Sequence, residues 1–211
     1  MTLGAARNLL DILVDKANNP YFTTNEKDEF LQLAVTDFIE KYYTVYDINE
    51  QSRSALKGLV TSVLSGNSNA TITLPDDVMY SLSLSVQYWH PNRLAIGNTA
   101  GRDKEYSLAK QVSAVQFRHQ ADPFNKHSYD DPVYTYVASS GGVSQIHILP
   151  SDSIQNKLFY YIKKPTLTEV FTSANPMIEE SYQNEIVQVA ARKMFANIES
   201  SNYEVQSQEA E

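Results

Sequence analysis

The feature that most constrains this chain is a change of hydrophobic period, helical at both ends and alternating in the middle. Leu3, Leu9, Leu10, Ile12 and Leu13 recur at helical spacing over residues 3–17, and Asn18-Asn19-Pro20 ends that helix. Thr23 and Glu26 stand in capping-box spacing, so a second helix starts there and runs to about Tyr46. Phe30, Leu33, Ala34, Phe38 and Tyr42 line one side of it, and Leu31, Val35 and Ile39 widen the apolar surface. A third helix is expected from Asp47-x-x-Glu50, burying Ala55, Leu56, Leu59, Val60, Val63 and Leu64 and stopping at Gly66, a residue suited to a left-handed cap.

Beyond Gly66 the period becomes two. Ile72 and Leu74 alternate with threonines up to Pro75. The clearest strand follows, with Tyr80, Leu82, Leu84, Val86 and Tyr88 expected on one face and Ser81, Ser83, Ser85 and Gln87 on the other. That polar face carries serine rather than charge, which suits solvent or a closely packed neighbour. Tyr106, Leu108 and Val112 suggest a further strand, and Ser113 a short capped helix ending before Asp122-Pro123. Val133–Val137 and Gln145–Leu149 read as a hairpin about Ser139-Ser140-Gly141-Gly142, and Lys157–Lys163 as a strand with Leu158, Tyr160 and Ile162 on one face. The middle is therefore expected to be an antiparallel β lobe.

A helical pattern then returns. Asn175-Pro176 offers a cap and a first-turn proline, with Glu179-Glu180 at the positive end of the helix dipole. Ile186, Ala190 and Met194 form one apolar row, and Val187, Ala191, Phe195 and Ile198 another. A surface helix needs only a stripe of roughly 100°. Two rows mean neighbours on two sides, either within the chain or in another subunit. The segment Glu199–Glu211 holds four glutamates, no base, and Tyr203 and Val205 among polar residues. On its own it is expected to be an extended tail, ordering on a partner with Tyr203 as anchor.

The fold class expected is α+β: a helical region over residues 1–68, a β-rich lobe over 69–170, a C-terminal helix over 171–200 packed on the N-terminal helices, and a tail over 201–211. The 211 residues suffice for one sizeable core.

Little chemistry is legible. With no cysteine, neither disulfides nor thiolate metal sites exist. His90, His119, His127 and His147 fall in no metal-binding spacing, and no phosphate-cradling glycine loop or nucleophile elbow occurs. The acid pairs Asp76-Asp77, Asp130-Asp131 and Glu179-Glu180 sit where turns and helix starts are expected, not in convergent positions. Lys163-Lys164 with Arg102 and Lys104 read first as solvated surface, and otherwise as a phosphate-facing patch. The expectation is no enzyme, no cofactor and no metal. A formal charge of −8 argues against gripping nucleic acid, although an acidic wall lets DNA pass without trapping it. Met1–Arg7 has no basic region followed by an apolar run, and no stretch approaches the ~18 apolar residues of a membrane span, so a protein made in the cytoplasm is expected. The 14 tyrosines fit strand packing and subunit contacts alike.

Four segments in order carry a resemblance: Asp122-Pro123-Phe124-Asn125-Lys126, then Ile146-His147-Ile148-Leu149-Pro150, then Tyr160-Tyr161-Ile162-Lys163-Lys164-Pro165, and finally Glu185–Arg192. Over residues 115–205 the chain resembles the head–tail connector (adaptor or ring) proteins of tailed bacteriophages, most nearly those of crAss-like and other podovirus-type phages. The first segment departs from the family's commoner Asn-Pro-Phe, and its Lys-Pro is here Lys126-His127. The resemblance implies a structural virion protein at the head–tail junction, assembled in the host cytoplasm as a homo-oligomeric ring of about twelve copies. It implies the portal protein and other tail proteins as partners, genome DNA passing through the lumen, and no membrane. The candidate subunit interface is Val187, Ala191, Phe195, Ile198, Tyr203 and Val205. The alternative is a virion or surface β module that recognises a glycan or host receptor on an aromatic platform of Tyr88, Trp89 and His90.

Overall fold

The structure is a computed structural model that describes residues 1–14, 22–66, 69–89, 106–118, 128–138 and 144–209, with side chains described as far as Ile198. In chain order the elements are α1 (Leu3–Val14), α2 (Thr24–Tyr43), α3 (Glu50–Leu56) with a single 3-10 turn over Lys57–Leu59, β1 (Val60–Ser65), β2 (Thr71–Thr73), β3 (Val78–Tyr88), β4 (Tyr106–Gln111), α4 (Ala114–Arg118), β5 (Val133–Ala138), β6 (Ser144–Leu149), β7 (Ile154–Lys163), α5 (Leu167–Val170) and α6 (Glu180–Glu209). The chain is α+β, and it divides into a helical unit, Met1–Leu59 with Lys164–Glu211, and a β unit, Val60–Lys163.

In the helical unit, local chemistry starts the helices. At α2 the Thr23 hydroxyl accepts from the Glu26 backbone N–H at 3.3 Å while the Glu26 carboxylate accepts from the Thr23 N–H at 2.6 Å, the expected capping box. The Asn49 side chain caps α3 by accepting from the Gln51 N–H at 2.9 Å. Helix α6 packs on both α1 and α2. Ala6 and Leu10 of α1, Leu31, Ala34, Val35, Phe38 and Ile39 of α2, and Ile186, Val187, Ala190, Ala191 and Met194 of α6 are all buried. The rings of Phe38, Tyr42 and Tyr182 meet with centroids 4.6 to 5.7 Å apart. Gln183, fully buried in α6, donates to the carbonyls of Val170 and Ile178, each at 2.9 Å, which fastens α5 and the following turn to the bundle.

Three expectations about helices are corrected. The third helix stops at Leu56, and Val60–Ser65 is a strand. The β-branched valines and threonine there favour extended backbone, and every residue from Val60 to Ser65 has a partner on β7. Gly66 therefore follows a strand and caps no helix. The last helix starts at Glu180, because Asn175 takes a left-handed φ of 49° that belongs to a turn. At its other end the backbone stays helical through Glu209, where an extended tail was expected. Of the loops read from sequence, Asn18-Asn19-Pro20, Asp122–His127 and Ser139–Val143 lie outside the described residues.

The β unit is a single seven-stranded sheet in the order β1-β7-β3-β4-β5-β6-β2. Pairing is antiparallel except between β4 and β5, which run parallel, so the expected all-antiparallel lobe is a mixed sheet. Ile72, Leu84, Val86, Tyr88, Ala109, Tyr134, Ile146, Ile148, Phe159 and Tyr161 enter one core, and Val63 of β1 packs against it. All seven strands thus contribute to one interior. The hairpin of β5 and β6 forms as expected, with Val133 opposite Leu149 and Ala138 opposite Ser144. Ser113 and Gln116 cap the short α4.

The β3–β7 ladder has three register shifts, at Val78/Tyr80, Ser81/Ser83 and Gln87/Tyr88, and the middle one reverses an alternation read from the sequence. Ser81 pairs with Tyr161, but Ser83 pairs with Tyr160, so Leu82 is the extra residue of a bulge. Cross-strand partners share a face. Leu84 opposite Phe159 therefore faces the core, while Tyr80 opposite Ile162 lies on the other side, not with Leu84 as alternation predicts. On β4 it is Ala109 that turns inward, leaving Tyr106 and Leu108 exposed.

Candidate assembly interface

The candidate interface lies on α6, and the structure splits it. Val187 and Ala191 are buried in the helical unit, as are Ile186, Ala190 and Met194 of the other row. The two neighbours that the two rows demand are α1 and α2 of the same chain, which removes Val187 and Ala191 as contacts to another subunit. Among the described side chains of α6, Met194 is the last buried one. The next apolar side chain, Phe195, is 40% exposed, and Ile198 is partly exposed. The helical backbone continues to Glu209, fifteen residues beyond Met194 and about 22 Å at 1.5 Å per residue. Tyr203 and Val205 lie on that helical backbone, and their side chains are not described.

Charge is partitioned between the units. The β unit holds eight acids and eight bases, so the surplus of −8 belongs to the helical unit. Ion pairs knit the helices. Arg7 grips Asp28 through two nitrogens at 2.8 and 2.5 Å, Lys41 pairs with Glu185 at 2.6 Å, and Lys193 with Asp37 at 2.7 Å. The last two pairs border a shallow groove between α2 and α6 that also includes Phe38, Val189 and Arg192.

The acid pairs serve structure. Asp77 accepts from the Tyr161 hydroxyl at 3.2 Å and faces Lys163 at 4.0 Å; Asp131 pairs with Lys110 at 2.7 Å; Glu179 pairs with Lys57. Among the described residues no group of three or more His, Asp or Glu side chains could hold a metal ion, and no helix is long and apolar enough to cross a membrane. His147 lies on β6 opposite Thr71 and Thr135. His90, His119, His127, Arg102 and Lys104 lie outside the described residues; of the four bases read first as solvated surface, Lys163 faces Asp77 and Lys164 is exposed.

The aromatic platform also divides. Tyr88 is buried; its hydroxyl donates to the Pro150 carbonyl at 3.1 Å, its ring lies 5.1 Å from Tyr129, and burial with nearby Asp152 raises its pKa. Trp89 is 50% exposed, and His90 is outside the described residues. A group that sequence reading overlooked is Lys157. It sits on the core face of β7 with Phe159 and Tyr161 and is fully buried, its ammonium donating to the carbonyls of Asn69 and, at 3.2 Å, of Thr71. Burial lowers its pKa. Period two placed Lys157 with those aromatics, which was the available signal.

No protein-family model matches the chain, and a search of curated proteins finds no match either.

Proposed function

We propose that this chain is a structural subunit of the head–tail connector of a tailed bacteriophage, a ring at the portal–tail junction that extends the DNA channel and docks the tail. The observation that carries the reading is the apolar pair Phe195 and Ile198, exposed and partly exposed on α6. The helix is packed inside its own subunit as far as Met194; Phe195 is then exposed and Ile198 partly exposed, and the backbone stays helical to Glu209. Apolar side chains exposed just past the packed part of a helix are left over for a neighbour. The order of the four segments resembling connector proteins supports the same conclusion. The confinement of all net charge to the helical unit fits a conduit, because an acidic surface repels the DNA that slides past it.

In this reading the interface is Phe195 and Ile198 continuing to Tyr203 and Val205, and the subunit performs no chemistry. Assembly is shape-complementary and heterologous, each copy using two different surfaces until the ring closes. The test is negative-stain imaging of the purified chain mixed with a candidate portal ring. Annular particles are expected from the wild type. Loss of annuli is expected for a Phe195→Asp variant and for a chain ending at Ile198, both keeping a cooperative thermal unfolding transition. Normal annuli from both variants, or none from the wild type together with a Trp89 fluorescence change on titration with sugars, would overturn the reading.

A further inference from the structure

An open recess of about 550 Å³ lies within the helical unit, between α1, α2 and the turn that leads into α5. That is a common size for a binding site, roughly 300–1,000 Å³. Leu3 and Leu167 give it an apolar wall. Arg7 and Asp28 also line it, and their two-point ion pair cancels both charges. Glu169 of α5 is engaged in the cap at Thr166, accepting from its N–H at 2.9 Å and its hydroxyl at 3.0 Å. Lys164 is left over. It lines the recess, is exposed, and has no ion-pair partner among the described residues.

The chain holds a segment of complementary character, too far off to fill its own recess. After Lys193 the sequence has no base; it carries Glu199, Glu204, Glu209 and Glu211, with Tyr203 and Val205 among them. Gln183 marks where the recess sits along α6. Its amide donates to the Val170 carbonyl of α5 at 2.9 Å, and its side-chain oxygen accepts from the Met1 amino group at 2.8 Å, two residues before Leu3. The recess is therefore level with the first turn of α6. The backbone is helical from Glu180 to Glu209, and Tyr203 comes twenty residues after Gln183, about 30 Å along the axis at 1.5 Å per residue. While the helix holds, its last turns cannot reach that recess.

We propose that the recess receives the end of α6, residues 199–209, from a second copy of this chain, with Tyr203 against Leu3 and Leu167 and the glutamates facing Lys164. This rests on the ring reading and deepens it: that reading supplies one face of a head-to-tail contact, and the recess is the other. The two faces are different surfaces at opposite ends of one helix, so each copy donates to one neighbour and accepts from the next, as a heterologous contact requires. Opposite charge steers the approach and rejects a basic occupant, while the aromatic anchor supplies the affinity. Because Lys164 is exposed, salt screens the attraction and weakens the contact.

Two full-length variants test this by sedimentation velocity over rising concentration. The acceptor variant, Lys164→Glu with Thr168→Glu, sets two acids at exposed positions of the recess, so its melting temperature is expected to be unchanged. The donor variant, Tyr203→Asp with Val205→Asp, removes the anchors. Wild type is expected to associate beyond the dimer, and each variant alone to associate about tenfold more weakly or less. An equimolar mixture of the two is expected to form dimers and nothing larger, since one intact recess meets one intact segment. Amide exchange over residues 164–168 is expected to slow in that mixture. The inference is overturned by a wild type monomeric at every concentration, by a mixture that associates no better than either variant, or by dimers without protection at residues 164–168. Annuli on the portal ring alongside any of these results leave the ring reading standing and remove only this contact. Mixed dimers without annuli from wild type remove the ring and keep the contact.

Discussion

Gly58 passes so close to Met177 that a Cβ built on it would lie 2.1 Å from the Met177 carbonyl oxygen and 2.9 Å from its carbonyl carbon. The obstacle is backbone, so no rotamer change relieves it. The contact ties the turn after α3 to the segment leading into α6, two stretches 119 residues apart in the chain. Gly58→Ala is expected to cost about 3 kcal/mol or more, read as a lower denaturant midpoint at unchanged slope.

Ser52 makes the opposite case. Its hydroxyl is buried in α3 with no hydrogen-bond partner among the described residues. An unsatisfied buried polar group weakens the folded state, and alanine has the higher helix propensity. Ser52→Ala is expected to be neutral or stabilising by up to about 1 kcal/mol in equilibrium unfolding.

Lys157 holds β2 to β7 by donating to Asn69 and Thr71 from inside the β unit. Lys157→Ala removes a long buried stem and leaves two carbonyls without their ammonium donor. A loss of about 3 kcal/mol is expected, together with faster amide exchange in β2, measurable by mass spectrometry.

Alkaline pH acts on the buried phenols. Burial, reinforced by Asp152 for Tyr88 and by Asp77 for Tyr161, raises both pKa values above the ordinary tyrosine range. Above about pH 10 the unfolded chain loses those protons while the folded chain keeps them, so stability is full below that pH and falls as pH rises through the folded values. Lys157 opposes this trend: its pKa is lowered in the folded state, so the unfolded chain binds more protons below about 10.5 and stability rises with pH in that window. Wild type is expected to lose more denaturant midpoint between about pH 10 and 11.5 than Tyr88→Phe does, the variant being about 1 kcal/mol weaker at neutral pH for want of its bond to Pro150.

Wherever the deciding interaction was local, the sequence declared it. The capping pairs Thr23–Glu26 and Ser113–Gln116 span three residues, and both form as their spacing requires. The α+β class, the β5–β6 hairpin and the two apolar rows of the last helix were legible for the same reason: periodicity is a property of neighbours in the chain. What sequence could not decide were choices between equally good local options. Ala55, Leu56, Leu59, Val60, Val63 and Leu64 recur at helical spacing, yet Val60 lies opposite Ile162, over a hundred residues away, and that distant ladder makes the segment a strand. Likewise two apolar rows on α6 require two neighbours without naming them. The tertiary structure supplied α1 and α2 of the same chain, taking Val187 and Ala191 into the core and leaving Phe195 exposed and Ile198 partly exposed. Hydrophobicity fixes that a surface must be covered; only the three-dimensional path of the chain fixes by what.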